Sequence, residues 1–167
     1  MMNVLYVGGK ETNISRLTEM NVNLDYVQNG MIALSAVQTG SFDAVVIEDQ
    51  LPLMTPSRLL KELVEVDANT PVISVVRGHD RKKDLLNDFA LGLFSYFEPD
   101  ENSGEEIFSI LALAKQFKNF KKDVPRTAAR HFSSVGFEKI VGISPQMLKI
   151  YHLMCQIKSK DVTTVLY

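Results

Sequence analysis

The sequence predicts a doubly wound α/β domain, a five-stranded parallel sheet with helices packed on both faces. Three observations carry that expectation. Five short apolar runs recur through the first hundred residues. Segments with apolar residues at helical spacing separate them. The runs are hydrophobic almost throughout rather than alternating, the pattern of strands covered from both sides.

The first run is Val4-Leu5-Tyr6-Val7, stopped by Gly8-Gly9. A second, weaker one spans Asn23 to Val27. Phe42 to Ile47, Pro71 to Val76 and Leu93 to Phe97 are the third, fourth and fifth. Each is short, β-branched or aromatic, and bounded by Gly, Pro, Asn or Asp. Between them, Ile14, Leu17 and Met20 form a first helical stripe after a Thr12/Asn13 cap. Met31, Leu34 and Val37 form a second, opened by Asn29-Gly30 and closed by Gly40. Leu59, Leu60, Leu63 and Val64 form a third, and Leu85, Leu86, Phe89 and Ala90 a fourth that ends at Gly92. Ile107, Ile110, Leu111 and Ala114 begin a fifth, longer helix that runs to Phe117 or Lys118. Right-handed crossovers put such helices on both faces of the sheet. Ligands of these sheets bind beyond the carboxyl ends of the strands. Those ends are Gly8-Gly9, Glu48-Asp49, Val76-Arg77 and Glu98-Pro99.

Composition narrows the class. With 167 residues, 46% hydrophobic and 23% charged, the chain has the make-up of a globular domain. It is too apolar for a disordered polyelectrolyte. No run of about 18 uncharged apolar residues offers a membrane span, and the N-terminus lacks a secretory pattern. A single cysteine, Cys155, cannot form an internal disulfide, so a cytoplasmic location is expected. His79, His131 and His152 are scattered without ligand spacing, and no metal site is expected. A net charge of −2 gives no reason to expect nucleic acid or lipid.

Beyond residue 118 the character changes. Lys115, Lys118, Lys121, Lys122, Arg126 and Arg130 make a basic stretch, read as a solvated linker, and Pro125 ends any preceding helix. A new unit opens at Phe137, with Ser144 as a helix cap and Pro145 at the first helical position. Asp161 to Tyr167 is strand-like. The expected division is a domain over 1–118, a linker over 119–136 and the start of a second domain over 137–167.

The segment Phe42 to Met54, with Glu48-Asp49 followed by Pro52 and Met54, resembles the third strand and loop of response-regulator receiver domains. Val27-Gln28-Asn29-Gly30, Pro71-Val72-Ile73 and Gly92 to Pro99 resemble the second, fourth and fifth strands of the same family. The resemblance covers residues 3–118 and implies strand order 2-1-3-4-5. Ile140-Val141-Gly142-Ile143-Ser144-Pro145 and Val162 to Tyr167 resemble the opening of the AAA+ domain of sigma-54-dependent transcriptional activators. That likeness implies a phosphate-binding loop after Tyr167, so ATP and magnesium are expected only of an AAA+ portion beyond this sequence, and sigma-54 RNA polymerase and DNA are partners only through further domains. No enzymatic activity and no cofactor are expected of these 167 residues themselves.

Receivers phosphorylate themselves on an aspartate, with Mg²⁺ held by an acidic pair after the first strand and a hydroxyl and a lysine around the phosphoryl group. By resemblance the acidic pair falls at Gly8 and Gly9, the acceptor at Glu48, the hydroxyl at Val76 and the lysine at Glu98. Mg²⁺ needs several hard oxygen ligands and a transferring phosphoryl group needs surrounding cations. The sequence departs at every one of these points, which implies a receiver that is not phosphorylated in the usual way.

Glu48 has three readings: a mimic of a phosphorylated aspartate, a structural acid paired with Lys10 or Arg77, or a solvated side chain. Asp49 stands one residue late for the acceptor. Two further functions stay open, namely phosphorylation on Glu48 or Asp49, and a small-ligand sensor in the pocket between Gly8, Gly9 and Arg77. In related activators the receiver dimerises and restrains the AAA+ ring, which implies a homodimer through the fourth helix, fifth strand, fifth helix and linker. Tyr96, Ile110, Ala114, Phe117 and Phe120 are the candidate surface, with intramolecular packing against the first helix, near Tyr96 and Phe97, as the alternative.

Overall fold

The computed structural model describes residues 1–9, 21–77, 79–99, 103–123, 136–137 and 140–141, with single positions at 147 and 150. Five parallel strands form one sheet: β1 (Met2–Val7), β2 (Val22–Val27), β3 (Ala44–Ile47), β4 (Val72–Val75) and β5 (Ser95–Phe97). Their order is β2-β1-β3-β4-β5, as expected. Four helices alternate with them: α1 (Gly30–Thr39), α2 (Pro56–Val66), α3 (His79–Leu91) and α4 (Ser103–Asp123). The expected first helix, over Ile14, Leu17 and Met20, lies outside the described residues, so α3 and α4 are the fourth and fifth helices of the sequence reading.

Side-chain alternation along each strand divides the core in two. Val4, Tyr6, Val46, Ile73, Val75 and Phe97 face α4, where Ile107, Leu111, Ala114 and Phe117 meet them. Leu5, Val7, Val45, Ile47, Val72 and Val76 face the other way, against Ala33, Leu59, Leu63 and Leu85. Each such side chain contributes about 1.5–3 kcal/mol by leaving water. Burial from both sides is why the strands read as continuous apolar runs. Strands β3 to β5 are shorter than those runs because Phe42, Val76 and Leu93 are buried in the flanking turns instead.

Local chemistry sets the helix ends. The Asn29 side chain accepts from the Ile32 N–H at 3.0 Å to start α1. Thr55 accepts from the Arg58 N–H at 3.3 Å, with Pro56 opening α2. The inner stripe of α1 is Gly30, Ala33 and Val37, and Met31 is 62% exposed rather than inward. Met54 explains the shift: a Cβ on Gly30 would stand 2.3 Å from its sulfur, so the loop after β3 packs where Met31 was expected. On α3, Leu86 and Ala90 likewise face outward.

The basic stretch is the largest departure from the expected picture. Helix α4 continues to Asp123, and three of its lysines, Lys115, Lys118 and Lys121, reach the amino ends of the strands rather than solvent, while Lys122 is exposed. Lys115 donates to the Met1 carbonyl at 2.9 Å and to Asp43 at 3.1 Å. Lys118, 6% exposed, donates to the Phe42 carbonyl and to the Thr70 hydroxyl. Lys121 donates to the Ala68 carbonyl at 2.8 Å. Their aliphatic stems continue the apolar face that carries Ala114 and Phe117, so the ammonium groups reach unsatisfied carbonyls at its far end.

In the C-terminal region, β6 (Gly136–Phe137) and β7 (Ile140–Val141) pair antiparallel, and Met147 packs on the α4 side of the core. The remainder of the expected AAA+ segment, including Cys155, lies outside the described residues. Among the described residues no helix is long and apolar enough to cross a membrane.

Candidate functional site

The backbone ladder continues one residue past three strands. Gly8 N–H donates to the Val27 carbonyl at 2.8 Å, Glu48 N–H to Val7 at 3.0 Å and Val76 N–H to Phe97 at 2.8 Å. Gly8, Glu48 and Val76 are thereby fixed along one carboxyl edge.

Alternation places the Glu48 side chain on the same face as Ala44 and Val46, and Tyr6 is registered against Val46. Glu48 is therefore directed over the Tyr6 ring end, and it is 5% exposed. The Tyr6 hydroxyl donates to Glu48 Oε1. Arg77 closes the other side, with Nε at 3.2 Å from Oε2 and Nη2 at 3.1 Å from Oε1. This two-pronged guanidinium–carboxylate fork is among the stronger side-chain pairings. The Arg77 backbone N–H donates to Asp49 Oδ2 at 3.0 Å, so adjacent acids hold the arginine by its side chain and by its main chain. Burial pushes the Glu48 pKa up and the Asp49 charge adds to the rise, while the Arg77 hydrogen bonds and charge offset part of it.

Gly8 belongs to the same arrangement. Its φ is +142°, a conformation that disfavours side chains, and a Cβ there would stand 2.3 Å from Glu48 Cγ. The Glu48 stem fills the space a residue at position 8 would use. Gly9 faces open space. Beside the two glycines lies a cleft of about 550 Å³, also lined by Tyr26, Gln28 and Pro52. Burial raises the Tyr26 pKa, and its ring is 5.6 Å from that of Tyr6.

A divalent metal does not fit this edge. Gly8 and Gly9 offer no side-chain oxygen, both Glu48 oxygens are engaged, and a guanidinium already supplies the positive charge. Among the described residues no group of three or more His, Cys, Asp or Glu could hold a metal ion.

Of the positions singled out from sequence, Gly8, Gly9, Glu48, Asp49, Val76 and Arg77 come together. Val76 is buried and apolar, Glu98 is exposed just after β5, and Lys10 lies outside the described residues. The reading of Glu48 as a structural acid paired with Arg77 matches the geometry. Tyr6 was missed: a tyrosine inside an apolar strand reads as core, although its hydroxyl needs a partner once buried. The candidate dimer surface divides. Ala114 and Phe117 are corrected to core residues, 0% and 2% exposed, because α4 lies flat on the sheet and Phe117 meets the Phe94 ring at 5.3 Å. Tyr96 is exposed, and Ile110 and Phe120 are half-buried.

No family model matches the sequence, and no curated protein matches it. Solved structures do match. A response-regulator receiver domain from Clostridium thermocellum is 14% identical, with a TM-score of 0.61 over 71% of this chain and 98% of its own. A Francisella response-regulator receiver domain is 22% identical, with a TM-score of 0.58 over 70% and 98%. The receiver domain of a Pseudomonas aeruginosa PAO1 sensor histidine kinase, which has magnesium coordinated in its active-site cleft, is 17% identical, with a TM-score of 0.56 over 71% and 98%. The described domain therefore has the fold of response-regulator receiver domains.

Proposed function

We propose that this chain is a regulatory receiver domain that signals through protein contact rather than phosphoryl transfer. One observation carries the reading: the carboxylate at the acceptor position is buried and held on both oxygens by Tyr6 and Arg77. Oε1 spends both lone pairs on Tyr6 and Arg77 and Oε2 spends one on Arg77, so attack on phosphorus would first have to break the fork, and among the described residues no cluster of metal-ligating side chains stands beside it. Arg77 takes the place of the cations that would otherwise arrive with the phosphoryl group, so the fold needs no added charge to order this edge.

The wider setting follows from the sequence resemblance. The receiver, whose last helix runs to Asp123 rather than ending at 118, the linker that follows it to 136 and the AAA+ opening over 137–167 form the front of a sigma-54-dependent activator. The contact surface is a homodimer face of α3, β5 and α4. Leu86 is 81% exposed and Tyr96 39%, and Phe89 meets the Tyr96 ring edge-on at 6.4 Å. Aromatic and apolar groups held rigidly in this way are typical anchors of protein interfaces.

The test is exposure to acetyl phosphate with Mg²⁺, read by intact mass. No adduct is expected on Glu48 or Asp49, and a stable phosphoryl adduct would overturn the reading. Sedimentation equilibrium of the native chain and of Tyr96→Lys tests the dimer face, which is wrong if both sediment alike.

A further inference from the structure

At the end of the sheet opposite Glu48, the last turns of α2, α3 and α4 border a half-open cavity of about 250 Å³. Apolar and aromatic residues, Val64 from α2, Phe89 and Leu91 from α3, Phe94 ahead of β5 and Phe117 from α4, share its lining with the polar Asn69, Thr70 and Lys121. Among the described residues, Lys121, one turn beyond Phe117, is the charged residue of the lining, and no acid lines it. Its ammonium donates to the Ala68 carbonyl at 2.8 Å and stands 5.5 Å from the Phe117 ring centroid. An ammonium has three donors, and among the described residues Ala68 is its hydrogen-bond acceptor. Burial pushes the Lys121 pKa down, with the Asp67 charge opposing, so the charge is poorly solvated where it stands. Asn69 lines the same opening.

Size limits the ligand. A cavity of about 150 Å³ lined by apolar side chains holds benzene, so this one holds an aromatic ring with one small substituent. Aromatic groups beside polar ones and a single cation select a ring bearing one negative charge. We propose that the cavity binds a small aromatic monocarboxylate, with its ring among Phe89, Phe94 and Phe117 and its carboxylate on the Lys121 ammonium and the Asn69 amide. The inference stands apart from the state of Glu48 at the other edge. Its consequence falls on the last turn of α4, which leads into the chain beyond residue 123.

The probe is benzoate, titrated into the full chain by calorimetry and by melting temperature, with benzyl alcohol as the uncharged control and acetate as the ringless one. Benzoate is expected to bind saturably and to raise the melting temperature, with both controls at least tenfold weaker. Lys121→Met keeps the aliphatic stem and should weaken benzoate tenfold or more while leaving benzyl alcohol unchanged. Ala90→Phe, at an exposed helical position on the lip of the cavity, should block both. The Lys121 pKa, followed by NMR, should rise when benzoate binds. Absence of benzoate binding at millimolar concentration overturns the proposal. So does equal binding of acetate or benzyl alcohol, or benzoate binding that Lys121→Met leaves intact.

Discussion

The two edges of this sheet bury charge in opposite ways. At the carboxyl edge one anion, Glu48, is held by a hydroxyl from β1 and a guanidinium from the end of β4. All three groups belong to strands that are already neighbours, so the clamp joins what the sheet has joined. At the amino edge three cations of a single helix, Lys115, Lys118 and Lys121, reach the chain ahead of β1, β3 and β4. Those bonds tie α4 to the sheet. The difference is one of reach: the first network fixes local geometry at a site, and the second fixes where a helix lies. In a receiver fold whose carboxyl edge is locked, movement of α4 is constrained from below as well.

The sharpest way to break the comparison is at Gly8. Gly8→Ala should cost about 3 kcal/mol, because it adds both backbone strain and a collision with the Glu48 stem. In a Glu48→Ala background the Cγ collision is removed but the Cβ at position 48, 2.7 Å from the added methyl, remains, so the cost should fall only in part, to about 2 kcal/mol. Denaturant titration of the double-mutant cycle reads this coupling, and additive costs would show that the two residues are independent.

At the other edge, Lys118→Met keeps the stem but leaves the Phe42 carbonyl and the Thr70 hydroxyl oxygen without their donor. A loss of about 2 kcal/mol is expected in urea unfolding. A neutral result would show that the amino-edge ties are decoration.

The smallest effect is the pH dependence of Glu48. Its folded pKa lies above its ordinary value of 4.5, so near and above that pH the folded chain keeps a proton that the unfolded chain has released. Stability from this group therefore falls as pH rises through the window between the two values. Relative to Glu48→Gln, the native protein should lose stability across that window, measured by unfolding at stepped pH. A difference of opposite sign would mean that Arg77 outweighs burial.

Much of this was legible in the sequence. The five apolar runs and their punctuation specify the sheet, and aligning the strand ends brings Glu48 to Lys10 or Arg77 as candidate partners, between which the sequence does not choose. The Tyr6 contact was hidden because β1 is covered on both faces, which erases the alternation that would have shown Tyr6 and Glu48 on one side. Lys118 was hidden for a different reason. Its charge argues for solvent, while its spacing from Ala114 and Phe117 argues for the buried face. Only the unsatisfied oxygens of Phe42 and Thr70, invisible in one dimension, decide between them. The same breadth of buried face took Phe117 out of the expected dimer surface.

The mutual exclusion of Gly8 and Glu48 also bears on reversibility. Placing an acidic metal ligand at position 8 collides with the side chain at 48, and shortening that side chain first strands the Tyr6 hydroxyl and the Arg77 fork. Each single step toward a metal-binding edge is uphill. The arrangement works as a ratchet, which one substitution at a time does not readily undo.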